Sequence, residues 1–235
     1  MKQFLQQVTT SLLHLVFPHV CEGCGNDLID RDDLLCLKCR KELPKTNFHF
    51  YFNNPIEKIF WGRLPLVQAS AQYYFTKESM MQHLMHQLKY RGNKNLGVFL
   101  GTLMGKALQE TNRFSDVDLV VPLPLFPSKE KQRGYNQAHL LSIGIAQTIQ
   151  KPVVEKAVIR TSFTDTQTMK NRVDRWQNMD GRFSVDAKCN LEGKHVLLVD
   201  DVVTTGASLE ACGKALISVP GLKLSICTLC YASQI

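Results

Sequence analysis

The sequence has 235 residues, of which 44% are hydrophobic, and this length accommodates one full domain and a small appendage. Its 28 Lys and Arg residues outnumber its 21 Asp and Glu residues, so the formal net charge is +7 and anionic ligands, from polyphosphates to nucleic acid, are favoured. The chain has no run of the roughly 20 apolar residues that a bilayer-spanning helix needs, which excludes that class of protein.

The N-terminal segment is predicted to form an amphipathic helix. Its apolar residues share one helical face: Phe4, Leu5, Val8, Leu12, Leu13 and Val16. We expect this face to dock on the core, with a helix on a membrane surface as the alternative. The segment has one lysine and no small-residue cleavage site, so it is not typical of a signal peptide.

Two cysteine pairs follow, Cys21-x-x-Cys24 and Cys36-x-x-Cys39, with eleven residues between them. Two tight turns of this kind supply the four thiolates that a tetrahedral zinc ion takes in a structural site. The spacing predicts a structural zinc ribbon, and a redox pair is the alternative. Four thiolates leave no open coordination position for catalysis, so the metal is expected to stabilise a unit too small to bury its own core. The other four cysteines are expected to be buried or structural residues.

We divide the chain into a helix and zinc ribbon at 1–45, an irregular linker or hood at 46–68, and a main domain at 69–235. The linker contains Pro55 and Pro65 and is expected to pack on the main domain. In the main domain, apolar patterns predict strands at 69–75, 118–121, 153–159, 196–199 and 223–231, and helices at 80–88, 96–108, within 133–149 and at 209–216. Alternating strands and helices predict an α/β fold with a mostly parallel sheet covered on both faces.

Two polar segments of the main domain are candidates for phosphate contacts. The strand near residue 120 ends in Pro122-Leu123-Pro124, and a basic stretch from Lys129 to Arg133 follows. Prolines stiffen a loop and the cations can meet phosphates, although a solvated basic helix start is the alternative. A second polar stretch covers residues 161–182, directly after Arg160, and its residues alone predict a solvated surface loop.

The strand at 196–199 leads into the most informative segment of the chain. Asp200 and Asp201 stand where the predicted strand ends, and the turn Thr204-Thr205-Gly206-Ala207-Ser208 comes before a helix. Ligands of open α/β sheets bind outside the carboxyl ends of strands, and a helix start with free N–H groups favours a phosphate. The carboxylates can accept from ribose hydroxyls or hold a metal ion. The segment therefore predicts a site for a phosphate with a diol beside it.

This segment resembles the phosphoribosyl pyrophosphate (PRPP) loop of type I phosphoribosyltransferases, and the resemblance implies that fold. It implies that Asp200 and Asp201 bind the ribose diol and carry the catalytic role. The loop that it assigns to PRPP comprises Val202, Val203, Thr204, Thr205, Gly206, Ala207 and Ser208. The residues expected at the pyrophosphate are Pro122, Leu123, Pro124, Arg133, Arg160, Lys89 and Arg91. The stretch from Thr161 to Gln167, with Lys170, Arg172 and Arg175, resembles the loop that closes over PRPP in amidophosphoribosyltransferase-like members.

Along nearly its whole length the chain resembles the ComF family. The resemblance rests on the four cysteines, Leu88-Lys-Tyr-Arg-Gly92, Pro122-Leu-Pro124, Arg133-Gly-Tyr-Asn-Gln-Ala138, residues 161–167 and residues 199–208. It implies structural Zn²⁺, Mg²⁺ bound with PRPP, a cytoplasmic protein without a membrane span, and a link to DNA uptake in natural transformation. Single-stranded DNA and DNA-import helicase-type proteins are the implied partners.

Two functions remain open at this level. One is a phosphoribosyltransferase-type enzyme that acts on PRPP, with an acceptor that the sequence does not identify. The other is a non-enzymatic module that uses the same fold to bind single-stranded DNA or a protein. Basic clusters at 89–94, 129–133 and 170–175 fit either, because phosphate contacts carry no sequence information.

Overall fold

The central sheet has four parallel strands in the order β1-β6-β5-β2, as seen in a computed structural model that describes residues 19–27, 33–160 and 183–232. These strands are β1 (Gln68–Tyr74), β2 (Leu119–Pro122), β5 (His195–Val203) and β6 (Lys223–Tyr231). A two-stranded antiparallel ribbon pairs β3 (Val158–Arg160) with β4 (Phe183–Val185). The predicted α/β class with a parallel sheet is confirmed.

Helices connect and cover the strands. In chain order they are α1 (Leu37–Glu42), α2 (Pro55–Phe60), α3 (Met80–Tyr90), α4 (Lys94–Gln109), α5 (Pro127–Arg133), α6 (Gln137–Ile149) and α7 (Ala207–Ile217). Short 3₁₀ turns occur at Phe48–Phe50 and Asn112–Phe114. Within the three described ranges, none of the helices is both long and apolar enough to cross a membrane.

Strand β5 is buried on both faces of the sheet, as its continuous apolar run predicts. Leu197 and Val199 face the core formed with α3, α4 and α6, whereas Val196 and Leu198 face the core formed with α2 and α7. Successive side chains of a strand point to opposite faces, so one short run of residues anchors both layers of helices.

The segment at 46–68 is more regular than the sequence analysis expected. Asn54 begins α2, because its Oδ1 accepts hydrogen bonds from the N–H groups of Ile56 at 3.0 Å and Glu57 at 3.2 Å. Pro55 occupies the first turn, where its missing N–H costs nothing. Ile56 and Phe60 are completely buried against the sheet, so the expectation of an irregular structure is wrong whereas the packing on the main domain is confirmed.

Two other expectations concern the strand at 153–159 and the segments at the N-terminus and at 161–182. Within 153–159, Val153 makes a single parallel bridge to Val120, and the regular pairing begins only at Val158. The predicted N-terminal helix and the loop at 161–182 lie outside the described residues, so they stay predictions.

Helices α4 and α6 approach each other closely because glycines face each other at the contact. A Cβ added to Gly144 would collide with the backbone carbonyl oxygen of Val98 and lie 2.5 Å from the N atom of Thr102. A Cβ added to Gly101 would collide with the carbonyl oxygen of Leu141. Backbone atoms within a helix cannot move aside without shifting the whole helix, so the interhelical distance depends on these glycines.

We therefore expect Gly144→Ala to lower the free energy of unfolding by about 3 kcal/mol, near the upper end of the cost of overpacking a core. Gly213→Ala is the matched control, because its new methyl group would meet the ends of the Leu64 and Leu224 side chains instead of backbone. The free energy of unfolding should fall at most half as much in Gly213→Ala as in Gly144→Ala. Urea unfolding of both variants measures this, and equal losses would refute the close-packing explanation.

Candidate functional site

The two acidic residues lie at the carboxyl end of β5, but inside the strand instead of after it. The sequence analysis ended this strand at Val199, whereas it continues to Val203. The extension follows from β6, which pairs with β5 as far as the partners Val203 and Tyr231. The backbone on either side of Asp200 and Asp201 is therefore held by sheet hydrogen bonds.

The acidic pair is organised by one lysine and one backbone hydrogen bond. Asp201 Oδ2 lies 2.9 Å from Lys89 Nζ, which comes from the last turn of α3. The N–H of Asp201 donates to Asp200 Oδ1 at 2.8 Å. Burial, and next the neighbouring charge of Asp201, raise the pKa of Asp200 to about 8. A charged group that binds beside the pair would therefore change the protonation of Asp200.

The turn after the strand lies mostly at the protein surface. Gly206 has φ +76°, a left-handed conformation that suits glycine, and it directly precedes α7. Thr204, Thr205, Ala207 and Ser208 are exposed. Together with Asp200 and Leu209 the turn lines a pocket of about 100 Å³. Exposed N–H groups and hydroxyls at the start of a helix are favourable partners for a phosphate.

Helix α2 and Arg63 support this turn from behind. A Cβ on Gly206 would lie 2.8 Å from Ile59 Cγ2 and 2.9 Å from the ring of Phe60. Arg63 Nη1 donates to the carbonyl oxygen of Thr205 at 3.0 Å, and its guanidinium forms an ion pair with Glu210 of α7. The sequence analysis missed these supporting residues, although Asn54-Pro55 is a recognisable helix start.

The opposite wall is built from the end of β2 and the segment that follows it. The N–H of Leu123 donates to the carbonyl oxygen of Val199 at 2.8 Å, which continues the sheet. Asn136 begins α6 and its Nδ2 donates to the carbonyl oxygen of Leu123 at 3.0 Å. Gly134, at φ +78°, ends α5 and turns the chain toward Asn136. Lys129 and Arg133 of α5 therefore line the same cleft as the acidic pair.

These walls enclose a cleft of about 180 Å³. Its lining comprises Lys89, Leu123, Pro124, Leu125, Lys129, Arg133, Asn136, Gln137, Ala138, Arg160, Asp200, Asp201 and Ser208. Arg160 comes from the end of β3, and its guanidinium lies 3.5 Å from the centre of the Phe126 ring and 5.0 Å from that of Phe183. Asp200 and Ser208 also line the turn pocket, so the two pockets adjoin.

The structure brings together most of the residues that the sequence analysis selected. Lys89, Leu123, Pro124, Arg133, Arg160 and the acidic pair line the cleft, and the residues from Val202 to Ser208 line the turn pocket. Two residues are placed elsewhere. Pro122 is buried within β2, and Arg91 is exposed beyond the end of α3; neither lines the cleft or the turn pocket. Leu125, Asn136, Gln137 and Ala138 line the cleft without having been selected.

The charges of the cleft fit an anionic ligand. Four cationic side chains line it, those of Lys89, Lys129, Arg133 and Arg160, whereas its acidic side chains are those of Asp200 and Asp201. A ligand with several phosphate charges at one end and hydroxyl groups facing the acids matches this distribution.

A second candidate site is the cluster of Cys21, Cys24, Cys36 and Cys39. Their four sulfur atoms all lie within 4.8 Å of one another. Burial opposes ionisation of Cys21, but N–H groups of the surrounding backbone, that of Cys36 among them at 3.2 Å, lower its pKa to about 6. Four sulfur donors this close to one another fit a structural zinc ion, as the spacing predicts.

The cysteine unit packs on the main domain. Gln87 Nε2 of α3 donates to the carbonyl oxygen of Glu22 at 3.2 Å, and Asn93 Nδ2 donates to Glu22 Oε1 at 2.8 Å. Leu35 and Cys39 belong to the same buried cluster as the apolar face of α3. Loss of the metal should therefore loosen α3, which carries Lys89.

We expect a strong chelator to remove one zinc ion per chain and to lower the melting temperature by about 10 °C, because several kcal/mol of metal-binding energy stabilises the fold. Cys36→Ser should have the same effect. Cys189→Ser, a change of the same kind outside the cluster, should keep its zinc. Elemental analysis and thermal unfolding check this, and a zinc-free wild type that melts unchanged would contradict it.

The pKa of Asp200 predicts a dependence of stability on pH. Its ordinary pKa is 3.8, so between about pH 4 and 8 the folded chain holds a proton that the unfolded chain has lost. The free energy of unfolding must then fall as the pH rises through this window. Between pH 5 and 8 we expect the wild type to lose at least about 1 kcal/mol more than Asp200→Asn.

Urea unfolding at each pH measures this difference. Glu192→Gln is the control, because Glu192 is exposed at the opposite edge of the sheet, in the turn before β5, and should follow the wild-type profile. Parallel profiles for the wild type and Asp200→Asn would show that Asp200 is ionised in the folded protein.

Comparisons with known proteins agree with this geometry. Residues 141–234 match the family model described as Phosphoribosyl transferase domain, and this range contains β5, the acidic pair, the turn and α7. Among solved structures, the glutamine PRPP amidotransferase from B. subtilis complexed with ADP and GMP is 17% identical. It aligns with a TM-score of 0.42 over 61% of this chain and 30% of that chain.

Three curated relatives align over most of the sequence. Competence protein F of Haemophilus influenzae is 28% identical over 87% of this chain and 86% of its own length. DNA utilization protein YhgH of Escherichia coli K12 is 26% identical over 90% of this chain and 89% of its own length. Competence protein ComFC of Bacillus subtilis is 26% identical over 92% of this chain and 85% of its own length. Because each match spans most of both sequences, the comparisons support the resemblance to the ComF family of competence-related proteins.

Proposed function

We propose that this protein binds PRPP together with Mg²⁺ and acts as a phosphoribosyltransferase-type protein in the uptake or use of DNA. One observation supports the proposed binding of PRPP. The acidic pair and the exposed turn line two adjoining pockets at the carboxyl edge of the sheet, and four cations line the larger pocket. The names of the matched relatives, which refer to competence and to DNA utilization, support the proposed role in the uptake or use of DNA.

Different residues would bind different parts of the ligand. The turn from Thr204 to Ser208 would bind the 5′-phosphate with its N–H groups and hydroxyls, and Asp200 and Asp201 would accept hydrogen bonds from the ribose 2′ and 3′ hydroxyls. Lys89, Arg133 and Arg160 would face the pyrophosphate. Mg²⁺ would neutralise part of the pyrophosphate charge when it binds with the ligand.

This arrangement suits displacement at the anomeric carbon. A nucleophilic acceptor forms its bond to that carbon while the bond to pyrophosphate breaks, and the electron pair leaves with pyrophosphate. The cationic side chains stabilise the departing charge. Lys89 forms an ion pair with Asp201, so a ligand that binds Asp201 would free this lysine to contact a phosphate.

The alternative is a module with the same fold that binds without turnover, in the cytoplasm and beside helicase-type partners. Binding and turnover are separable by experiment, because a module would bind its ligand without releasing pyrophosphate.

We expect saturating Mg-PRPP to raise the melting temperature of the wild type by about 5 °C or more, because a ligand at 100 times its Kd stabilises the folded state by about 2.7 kcal/mol. The double variant Asp200→Asn/Asp201→Asn should show no shift, and the exposed-site control Glu192→Gln should keep it. No wild-type shift at millimolar PRPP would refute PRPP binding.

Pyrophosphate release across a panel of nucleobases and amines then separates the two functions. Release with one acceptor, lost in the double variant, supports the enzyme. A full thermal shift without release for any acceptor supports the module.

A further inference from the structure

Arg160 of the cleft lies against two aromatic rings that come from different parts of the chain. Its guanidinium carbon lies 3.5 Å from the centre of the Phe126 ring and 5.0 Å from that of the Phe183 ring. The shorter distance is van der Waals contact, so the guanidinium rests on the face of the Phe126 ring. Contacts between a cation and an aromatic face are attractive, and arginine forms them more often than lysine does.

Both rings are fixed by their own surroundings. Phe183 is the partner of Arg160 in the β3–β4 ribbon, so the two side chains project to the same side of the ribbon, and the Phe183 ring is buried in the core formed with α2 and α7. Phe126 directly precedes Pro127, which favours the extended backbone that Phe126 adopts. Its carbonyl oxygen accepts a hydrogen bond from the N–H of Glu130, in the first turn of α5, at 2.9 Å.

The ring contact determines which part of Arg160 can meet a ligand. A guanidinium group stacks through its flat face, whereas its N–H donors point outward in the plane, with the spacing of two phosphate oxygens. Arg160 lines the cleft together with the acidic pair. An arginine side chain that is already held in place loses less conformational freedom when a phosphate binds, and it therefore binds the phosphate more tightly.

Phe126 lies beside the cleft without lining it. Its neighbour Leu125 lines the cleft and α5 begins directly after it, but Phe126 is not among the lining residues. An effect of its ring on a ligand must then pass through Arg160. The role of Phe126 is therefore separable from the roles of the residues that touch the ligand.

We propose that Phe126 is a positioning residue, which holds the guanidinium of Arg160 on its ring so that Arg160 binds a pyrophosphate group. Phe183 supports the same guanidinium from the ribbon, at the longer distance. This inference rests on the proposed function in taking that group to be the pyrophosphate of PRPP. It adds an aromatic side chain to the four cations that determine the affinity of the cleft for an anion.

The experiment measures the affinities of Mg-PRPP, Mg-pyrophosphate and ribose 5-phosphate by isothermal titration calorimetry. Phe126→Leu keeps an apolar side chain but removes the ring face, so it should bind Mg-PRPP and Mg-pyrophosphate about five-fold more weakly. Phe126→Tyr keeps the ring face and should bind both like the wild type. The affinity for ribose 5-phosphate should be unchanged in both variants, because its phosphate would bind at the turn from Thr204 to Ser208.

Arg160→Lys tests whether the ring acts through the arginine. It keeps the positive charge but loses the planar group, and it should weaken the binding of Mg-pyrophosphate about ten-fold. Adding Phe126→Leu to Arg160→Lys should then weaken the binding by less than about two-fold, because the contact is already lost. A full additional loss in the double variant would overturn the proposal, because the two residues would then act independently.

Phe114→Leu is the matched control. Phe114 also lies beside an arginine, since the Arg113 guanidinium lies 6.0 Å from its ring centre, but it precedes β2 at the amino edge of the sheet, opposite the cleft. This variant should melt at a lower temperature and keep the wild-type affinity for all three ligands. Equal weakening of pyrophosphate binding in Phe114→Leu and Phe126→Leu would overturn the proposal, because a general loss of packing would then explain both.

The outcomes separate the positioning role from the proposed function. If Phe126→Leu binds Mg-PRPP as tightly as the wild type does, the positioning role fails and PRPP binding stands. If the wild type binds Mg-pyrophosphate but not Mg-PRPP, and Phe126→Leu weakens that binding as expected, PRPP binding fails and the positioning role stands. A wild type that binds neither ligand overturns both.

Discussion

The parallel pairing of β5 with both β2 and β6 is the constraint on which the site depends. It brings the carboxyl ends of these strands to one edge of the sheet, so the acidic pair of β5 faces the loop that follows β2. Because β5 is buried on both faces by alternate side chains, a slip of one residue would exchange the side chains that fill its two cores and disrupt the packing of both. The same packing that stabilises the fold therefore fixes the direction of Asp200 and Asp201.

The elements around this edge act mainly as supports. Helix α2 packs behind Gly206 and keeps the turn open on its solvent side, and Arg63 ties the turn to α7. On the other side, the cysteine unit contacts α3 through Glu22, and α3 supplies Lys89. The segment before the main domain is thus part of the structural frame of the site, which explains why it carries several fully buried side chains.

Features that consist of neighbouring residues could be predicted from the sequence. The acidic pair with its turn, and the four cysteines, are short patterns whose chemistry is local, and the structure brings their atoms together as expected. The features that were missed depend on contacts between distant residues. Nothing near Val199 shows that β6 extends the strand to Val203, and nothing near Phe126 shows that Arg160 lies beside it. Helix α2 has six residues, too few for a clear apolar period, so only its Asn-Pro start marked it.

The central claim is that the sheet edge holds a phosphorylated ribose by its two ends. A crystal structure of the protein with Mg-PRPP tests it most directly. We expect the 5′-phosphate on the N–H groups of residues 204–208, and the ribose hydroxyls within hydrogen-bonding distance of Asp200 and Asp201. A phosphate bound away from this turn, or a sugar that makes no contact with either aspartate, would contradict the account.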